Sequence, residues 1–295
     1  VSIKENGKDL SFYRRHNAVF IEIPEMIKDT LFEITIQYEG IPEEAKNPPW
    51  DGGFIWDKDK NETPFIGVAC EGTGASLWWP NKDHPSDEPD SVRLHITVPD
   101  TLIAIGNGQL ESIEKADSTA TYTWLVKNPI NNYNITLNIG DYVEISDTLI
   151  NSSGVQKLNH YVLSYNKETA LRYFLQVREV IHFFEKIFGE YPFWEDGYKL
   201  VETPYAGMEH QSAIAYGNGY TTSGHYYMYD LVDYIILHET AHEWWGNSLT
   251  ACDGADVWLH ESFATFSEVL YVEEKLGRLV SIDYLKKKRS YISNK

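Results

Sequence analysis

Three residues of one short segment have the types and spacing for metal chemistry: His238, Glu239 and His242, in the run His238-Glu239-Thr240-Ala241-His242. On a helix, positions i and i+4 share a face about 6 Å apart, so both imidazoles can reach one metal ion. The carboxylate beside the first histidine then lies at the ion's open position, where it can take a proton from water made more acidic by zinc. The chemistry implied is metal-assisted hydrolysis with Glu239 as general base. Two solvated histidines on a helix would give the same pattern, so its surroundings must decide.

Those surroundings read as helix, with Tyr234-Ile235-Ile236-Leu237 before the segment and Trp244-Trp245-Gly246-Asn247 closing it. A catalytic zinc takes three protein ligands and one water. The metzincin extension needs Gly and His where this chain has Trp245 and Ser248, which excludes that subclass. Glu261 stands 19 residues after His242, within Trp258-Leu259-His260-Glu261-Ser262-Phe263-Ala264. Its apolar flanks predict a buried carboxylate, which is costly unless paired or bound to metal. His260 is a rival ligand, but on a helix it points about 100° away from its neighbour. Glu261 is therefore the expected third ligand.

This arrangement resembles the aminopeptidase-N-like, or gluzincin, family of zinc metallopeptidases, which includes the leukotriene-hydrolysing aminopeptidases. The family pattern has eighteen residues between the second His and the Glu, as here, and W-L-N-E-G-F-A around the third ligand; His260 and Ser262 replace its Asn and Gly. The family's upstream G-x-M-E-N signature is matched by Gly207-Met208-Glu209-His210, with His in the last place. The resemblance implies one zinc ion on His238, His242 and Glu261, and removal of N-terminal residues from peptides. It also implies that Glu209 holds the substrate's α-amine, with Gly207 and Met208 in the same substrate-binding segment. A physical reason agrees: removing one residue requires a fixed negative charge one residue from the metal.

A second amine contact is implied in Ala69-Cys70-Glu71-Gly72, where Glu71 is the candidate and Ala69 replaces a family Gln. Glu268, seven residues after Glu261, faces the same side of a helix and matches an acid that supports a zinc histidine in the family. An ordinary partly buried salt bridge is the other reading of Glu268. Asp256, five residues before Glu261, is a further candidate for that supporting role. The family also uses a Tyr well beyond the third ligand to stabilise the oxyanion. Tyr271, Tyr284 and Tyr291 do not fit its place, so the chain by itself is expected to bind zinc and turn over poorly. A thermolysin-like endopeptidase would share the zinc helix without needing Glu209. A module that keeps zinc for stability or peptide binding is the non-enzymatic alternative.

The elements that must position these groups change character along the chain. Period-two runs rich in Ile, Val, Thr and Tyr occur at 18–24, 31–38, 91–98, 120–126 and 133–139, which predicts antiparallel sheets. Residues 40–64, rich in Pro, Gly and Asp, read as loops. Helical spacing follows at 168–188, 230–245 and 257–276, with Gly189 and Gly277 as stops. The basic run Lys286–Arg289 reads as one solvated helix face. The fold class is α+β and multidomain. A β saddle or sandwich domain over 1–145, short of its first strands, precedes a thermolysin-like, mainly helical catalytic domain over 146–295, itself truncated by the resemblance.

The 295 residues carry 25 Lys+Arg against 44 Asp+Glu, a formal net charge of −19. Such a surface repels phosphate backbones and anionic lipid, so nucleic acid is not an expected partner, whereas a peptide with a positive N-terminus is. Aromatic residues make up 14%, which excludes a disordered chain. There is no run of apolar residues long enough to cross a membrane and no signal-peptide core at the start. Compartment and oligomeric state stay open. Cys70 and Cys252 are expected as free thiols.

Overall fold

The computed structural model describes residues 1–23, 31–71, 74–221 and 232–289. The chain forms two compact units, Val1–Pro42 and Glu43–Lys295. The first contains strands β1 (Ser2–Glu5), β2 (Lys8–Asp9), β3 (Phe12–Arg15), β4 (Ala18–Ile21) and β5 (Thr35–Gln37). They form one sheet in the order β2-β1-β5 and a separate hairpin, β3-β4.

The second unit holds every element of the site. Its first sheets are built from β6 (Gly53–Lys58), β7 (Pro64–Ala69), β8 (Val92–Pro99), β9 (Ile103–Gly106), β10 (Gln109–Ala116), β11 (Thr119–Val126) and β12 (Leu137–Gly140). The orders are β10-β11-β8 and β6-β7-β12-β9, all antiparallel. A mixed five-stranded sheet follows from β13 (Tyr142–Asn151), β14 (Gly154–Leu163), β15 (Leu200–Glu202), β16 (Gly207–Met208) and β17 (Ile214–Tyr216), in the order β13-β14-β15-β17-β16. Residue 145 lies within β13. Helices α1 (Lys167–Tyr173), α2 (Gln176–Phe188), α3 (Tyr234–Ala241), α4 (Trp258–Leu276) and α5 (Arg278–Lys288) complete the unit. A shared apolar core joins α2, α3 and α4 to this sheet through Val180, Phe184, Ile214, Ile236 and Val272.

Several expected elements are revised. Residues 40–64 are not all loop, because Gly53–Lys58 forms β6 and pairs in register with Pro64–Ala69. Its flanking Gly and Asp residues hide a short Phe-Ile-Trp run. The stretch 133–139 begins as a 3-10 turn, Asn132–Asn134, because the Asn131 side chain accepts the Tyr133 N–H. The predicted helix 168–188 is two helices. The break carries Phe174 into the core, where its ring meets Tyr216 edge-on at 5.2 Å. Gln176 bridges the break, donating to the Tyr173 carbonyl and accepting the Asp233 N–H. Gly189 and Gly277 do end α2 and α4, at φ of 96° and 85°, where glycine has no Cβ to clash. The start of the predicted segment 230–245 lies outside the described residues.

Candidate active site

The metal helix α3 is short and buried from Ile235 through Ala241, so the surrounding protein holds it rather than its own propensity. Asp233 caps it, accepting from the N–H groups of Ile235 at 2.8 Å and Ile236 at 3.4 Å. Tyr216 and Asn218 donate to the same carboxylate at 2.9 and 3.0 Å, which ties the cap to β17 and the turn after it. Farther along, Thr240 Oγ1 and Tyr198 OH lie 2.7 Å apart.

From this helix His238 and His242 project together, with their Nε2 atoms 3.3 Å apart. The first turn of α4 brings Glu261 to them: its oxygens lie 3.2 Å from His238 Nε2 and 3.4 Å from His242 Nε2. The outer ring nitrogens are already engaged. His242 Nδ1 lies 3.0 Å from the Trp245 carbonyl, which can only accept, and His238 Nδ1 lies 2.8 Å from Glu268. With both Nδ1 atoms as donors, both Nε2 lone pairs face inward.

Two imidazole nitrogens and a carboxylate converging in this way are the donor set of a zinc ion, and the residues fit that metal. Burial opposes charge on His238, but its hydrogen bonds to Glu261 and Glu268 outweigh that and raise its pKa well above the usual histidine range. Glu261 is held low in the same way, its hydrogen bonds to the two histidines and their charges outweighing its partial loss of solvent. Glu261 is not the buried carboxylate expected from its flanks: its side chain is 48% exposed, because it lines an open cleft shared with Glu71 and Glu209.

Glu239 lies beside this cluster, 7% exposed. Glu209, Glu239 and His242 each place a ligand-type atom within 4.8 Å of the others. Burial pushes the Glu239 carboxyl up to about 8; His238 and His242 oppose the shift, while Glu209 and Glu261 add to it. Gly207 explains how the upstream segment can lie so close. A Cβ there would stand 2.5 Å from Glu239 Oε1 and 2.9 Å from Ile235, so no side chain fits without displacing that carboxylate. Met208 turns the other way, into the core with Val68, Cys70 and Tyr205.

Glu209 is nearly buried, at 5% exposure, and accepts from Tyr133 OH at 3.2 Å. Its carbonyl accepts from Asn247, which in turn accepts from Asn134. Glu243 accepts the Ser212 N–H at 2.9 Å, a second tie between the metal helix and residues 209–212. His210 is fully buried, and burial pushes its pKa down to about 3. Among the described residues neither of its ring nitrogens has a hydrogen-bond partner.

Glu71 enters from the end of β7. It shares a cleft of about 170 Å³ with Glu209 and Glu261, whose walls include Asp83, Asn132, Tyr133 and Val257. Burial raises the Glu71 carboxyl to about 7, and the charges of Glu209 and Glu261 add to the shift. His260 turns away from the cluster, its Nε2 accepting the Ala251 N–H at 2.9 Å. Asp256 does not join the site: it is exposed in the turn before α4, outside the described hydrogen bonds of the histidines. Tyr271 packs edge-on against Phe183, and Tyr291 lies outside the described residues. Cys70 and Cys252 are both free. The roles of Tyr133, Asn247 and Glu243 escaped the sequence reading. Their partners lie on other elements, and no local spacing signals them.

Residues 173–293 match the Peptidase family M1 domain. This segment is similar to that family's domain. Over 90% of its length the chain is 27% identical to leucyl aminopeptidase of Saccharolobus solfataricus, of which it covers 33%. It is 24% identical to glutamyl aminopeptidase of Rattus norvegicus over 88% of its length, covering 28% of that protein. The chain thus spans about a third of the length of the curated relatives it matches. Its fold matches the M1 zinc metallopeptidase of Deinococcus radiodurans with a TM-score of 0.77 at 21% identity, over 97% of this chain and 63% of that one. The α+β architecture, β-rich first and helical afterwards, is therefore shared with that structure. No helix among the described residues is long and apolar enough to cross a membrane.

Proposed function

We propose that this chain carries the catalytic centre of a zinc aminopeptidase, with its metal, base and principal amine anchor all within residues 146–295. The observation that carries the reading is the joint placement of Glu209 and Glu239 against the His238–His242–Glu261 cluster. An endopeptidase needs the metal and the base, but has no use for a buried anionic group beside them.

Zinc held by His238, His242 and Glu261 would polarise the scissile carbonyl and make water more acidic. Glu239 takes the water's proton on its carboxylate and later delivers it to the leaving amine, and the burial that raises its pKa favours holding the proton between the two transfers. Glu209 holds the substrate's ammonium group, with Tyr133 fixing one of its oxygens. Glu71 is the second carboxylate facing that amine, and its mutual repulsion with Glu209 is relieved when a cation binds between them. An M1 metallopeptidase variant from Deinococcus radiodurans, matched at a TM-score of 0.76 and 21% identity, binds the peptide Tyr-Ser-Ala. Peptides with a free N-terminus are accordingly the proposed substrates.

The test compares a short peptide with its N-acetylated form, with and without a chelator. Cleavage of the free peptide alone, abolished by the chelator, is the expected result. Equal cleavage of both forms would remove the amine-anchor role and leave an endopeptidase.

A further inference from the structure

The run Lys286–Arg289 reads in sequence as a solvated face, yet Lys288 is not solvated. Its side chain is 11% exposed, and its Nζ lies 2.7 Å from Glu268 Oε2. Tyr284, one turn earlier on α5 and fully buried, donates its hydroxyl to the same oxygen. The other oxygen of Glu268 faces His238 Nδ1 at 2.8 Å. Glu268 itself is 0% exposed, so water does not compete for its lone pairs. Lys288 Nζ also lies 4.9 Å over the ring of Tyr234. That ring in turn stacks on the imidazole of His238, with centroids 5.2 Å apart. Both supports of His238, the carboxylate on Nδ1 and the aromatic ring on its face, therefore touch one ammonium group.

We propose that Lys288 is a positioning residue for the metal ligand His238, acting through Glu268. The proposal rests on the metal-site reading above. A buried carboxylate with one oxygen held by both an ammonium group and a phenol is fixed in orientation. Its second oxygen is then fixed as the acceptor for His238 Nδ1–H, which keeps the Nε2 lone pair directed at the metal. Removing the ammonium group takes one of the two described donors from that oxygen of Glu268 and a cation contact from the ring of Tyr234. Lys288 touches neither metal nor substrate, so its effect is read first in metal affinity.

Zinc affinity is measured by competition with a chromophoric chelator, and the site is examined in parallel by the visible absorption of the cobalt-substituted protein. Lys288→Met should bind zinc about tenfold more weakly and shift the cobalt bands, the scale usual for lost outer-shell partners. Lys288→Arg, which keeps the charge, should restore both. In a Glu268→Gln background the Lys288→Met change should cost nothing further. Tyr284→Phe, which removes the other donor to the same oxygen, should weaken zinc about twofold to fivefold, and decides the matter should Lys288→Met not fold. Unchanged affinity and spectrum in these variants, or an equal loss with and without Glu268, overturns the proposal. A wild-type protein that takes up no zinc overturns the metal-site reading instead.

Discussion

Asn247 donates its side-chain amide to the backbone carbonyl of Glu209 at 2.8 Å, joining the end of the metal helix to the segment that carries the amine anchor. Metal ligands and anchor are thereby fixed in one frame. Glu243, one residue after the second histidine, reinforces the same frame through Ser212. A change in one part of this unit should therefore be felt in another, and the following predictions use that coupling.

Glu239→Gln keeps the shape of the base and removes its proton-accepting charge. Turnover should fall about 10²- to 10⁴-fold, the range for loss of a general base, while zinc stays bound. Metal analysis beside a kcat measurement checks both parts. Retained activity would remove Glu239 from the proposed mechanism.

Glu209→Gln leaves the Tyr133 hydroxyl a neutral acceptor but deletes the charge that meets the ammonium group. A lost charged hydrogen bond of about 1.5–3 kcal/mol corresponds to a fall of about 10- to 100-fold in kcat/KM for free peptides. The residual rate on N-acetylated peptides should not move. A matching loss on both would assign Glu209 a structural role only.

Gly207→Ala places a Cβ where Glu239 Oε1 and Ile235 already stand. Displacing the base by about 1 Å costs on the order of 10²-fold in rate, with folding weakened by about 1–3 kcal/mol. Because Glu209 is untouched, KM should change far less than kcat. Steady-state kinetics and a urea melt separate the two effects.

His160 gives an acid-stability prediction away from the metal. It is fully buried, and its Nδ1 accepts the Leu200 N–H at 3.0 Å. Burial pushes its pKa down to about 4, against 6.5 when exposed, with a small opposing pull from Asp147. Between pH 6.5 and pH 4 the unfolded chain binds the extra proton, so its contribution is present above that window and is lost as pH falls through it. The loss between pH 7 and pH 5 is about 2 kcal/mol. His160→Asn keeps an acceptor for Leu200 and should remove most of that slope. Urea midpoints of the metal-stripped protein at the two pH values provide the check.

The chemistry of this chain is more legible in its sequence than the scaffold is. His238, Glu239, His242 and Glu261 announce themselves because helical geometry converts spacing directly into direction. Strand β6 does not, since pairing energy comes from a partner strand and the Asp-Gly-Gly lead-in reads as turn. Tyr133 was predicted as part of a strand, and its contact with Glu209 joins residues 76 positions apart. Lys288 shows the same limit. A basic residue in a basic run is ordinarily solvated, and only the packing of α5 turns it onto a buried carboxylate. Glu261 erred the other way: apolar neighbours on its helix suggested burial, while the side chain opens into the cleft.

The strand β16 carries a further consequence. Gly207 abuts Glu239, the proposed base, and Glu209, two residues on and just past the strand, is the proposed anchor of the substrate's terminus, so on that reading the backbone between them works as a ruler between the proton acceptor and the end of the peptide. Each residue of such a chain measures about 3.3 Å, close to the advance of one residue in a bound peptide. A single residue inserted after Met208 would lengthen that ruler by one graduation. On the proposed reading, the number of residues released per cut is set by the spacing of Gly207 and Glu209 along this segment, rather than by the size of any pocket.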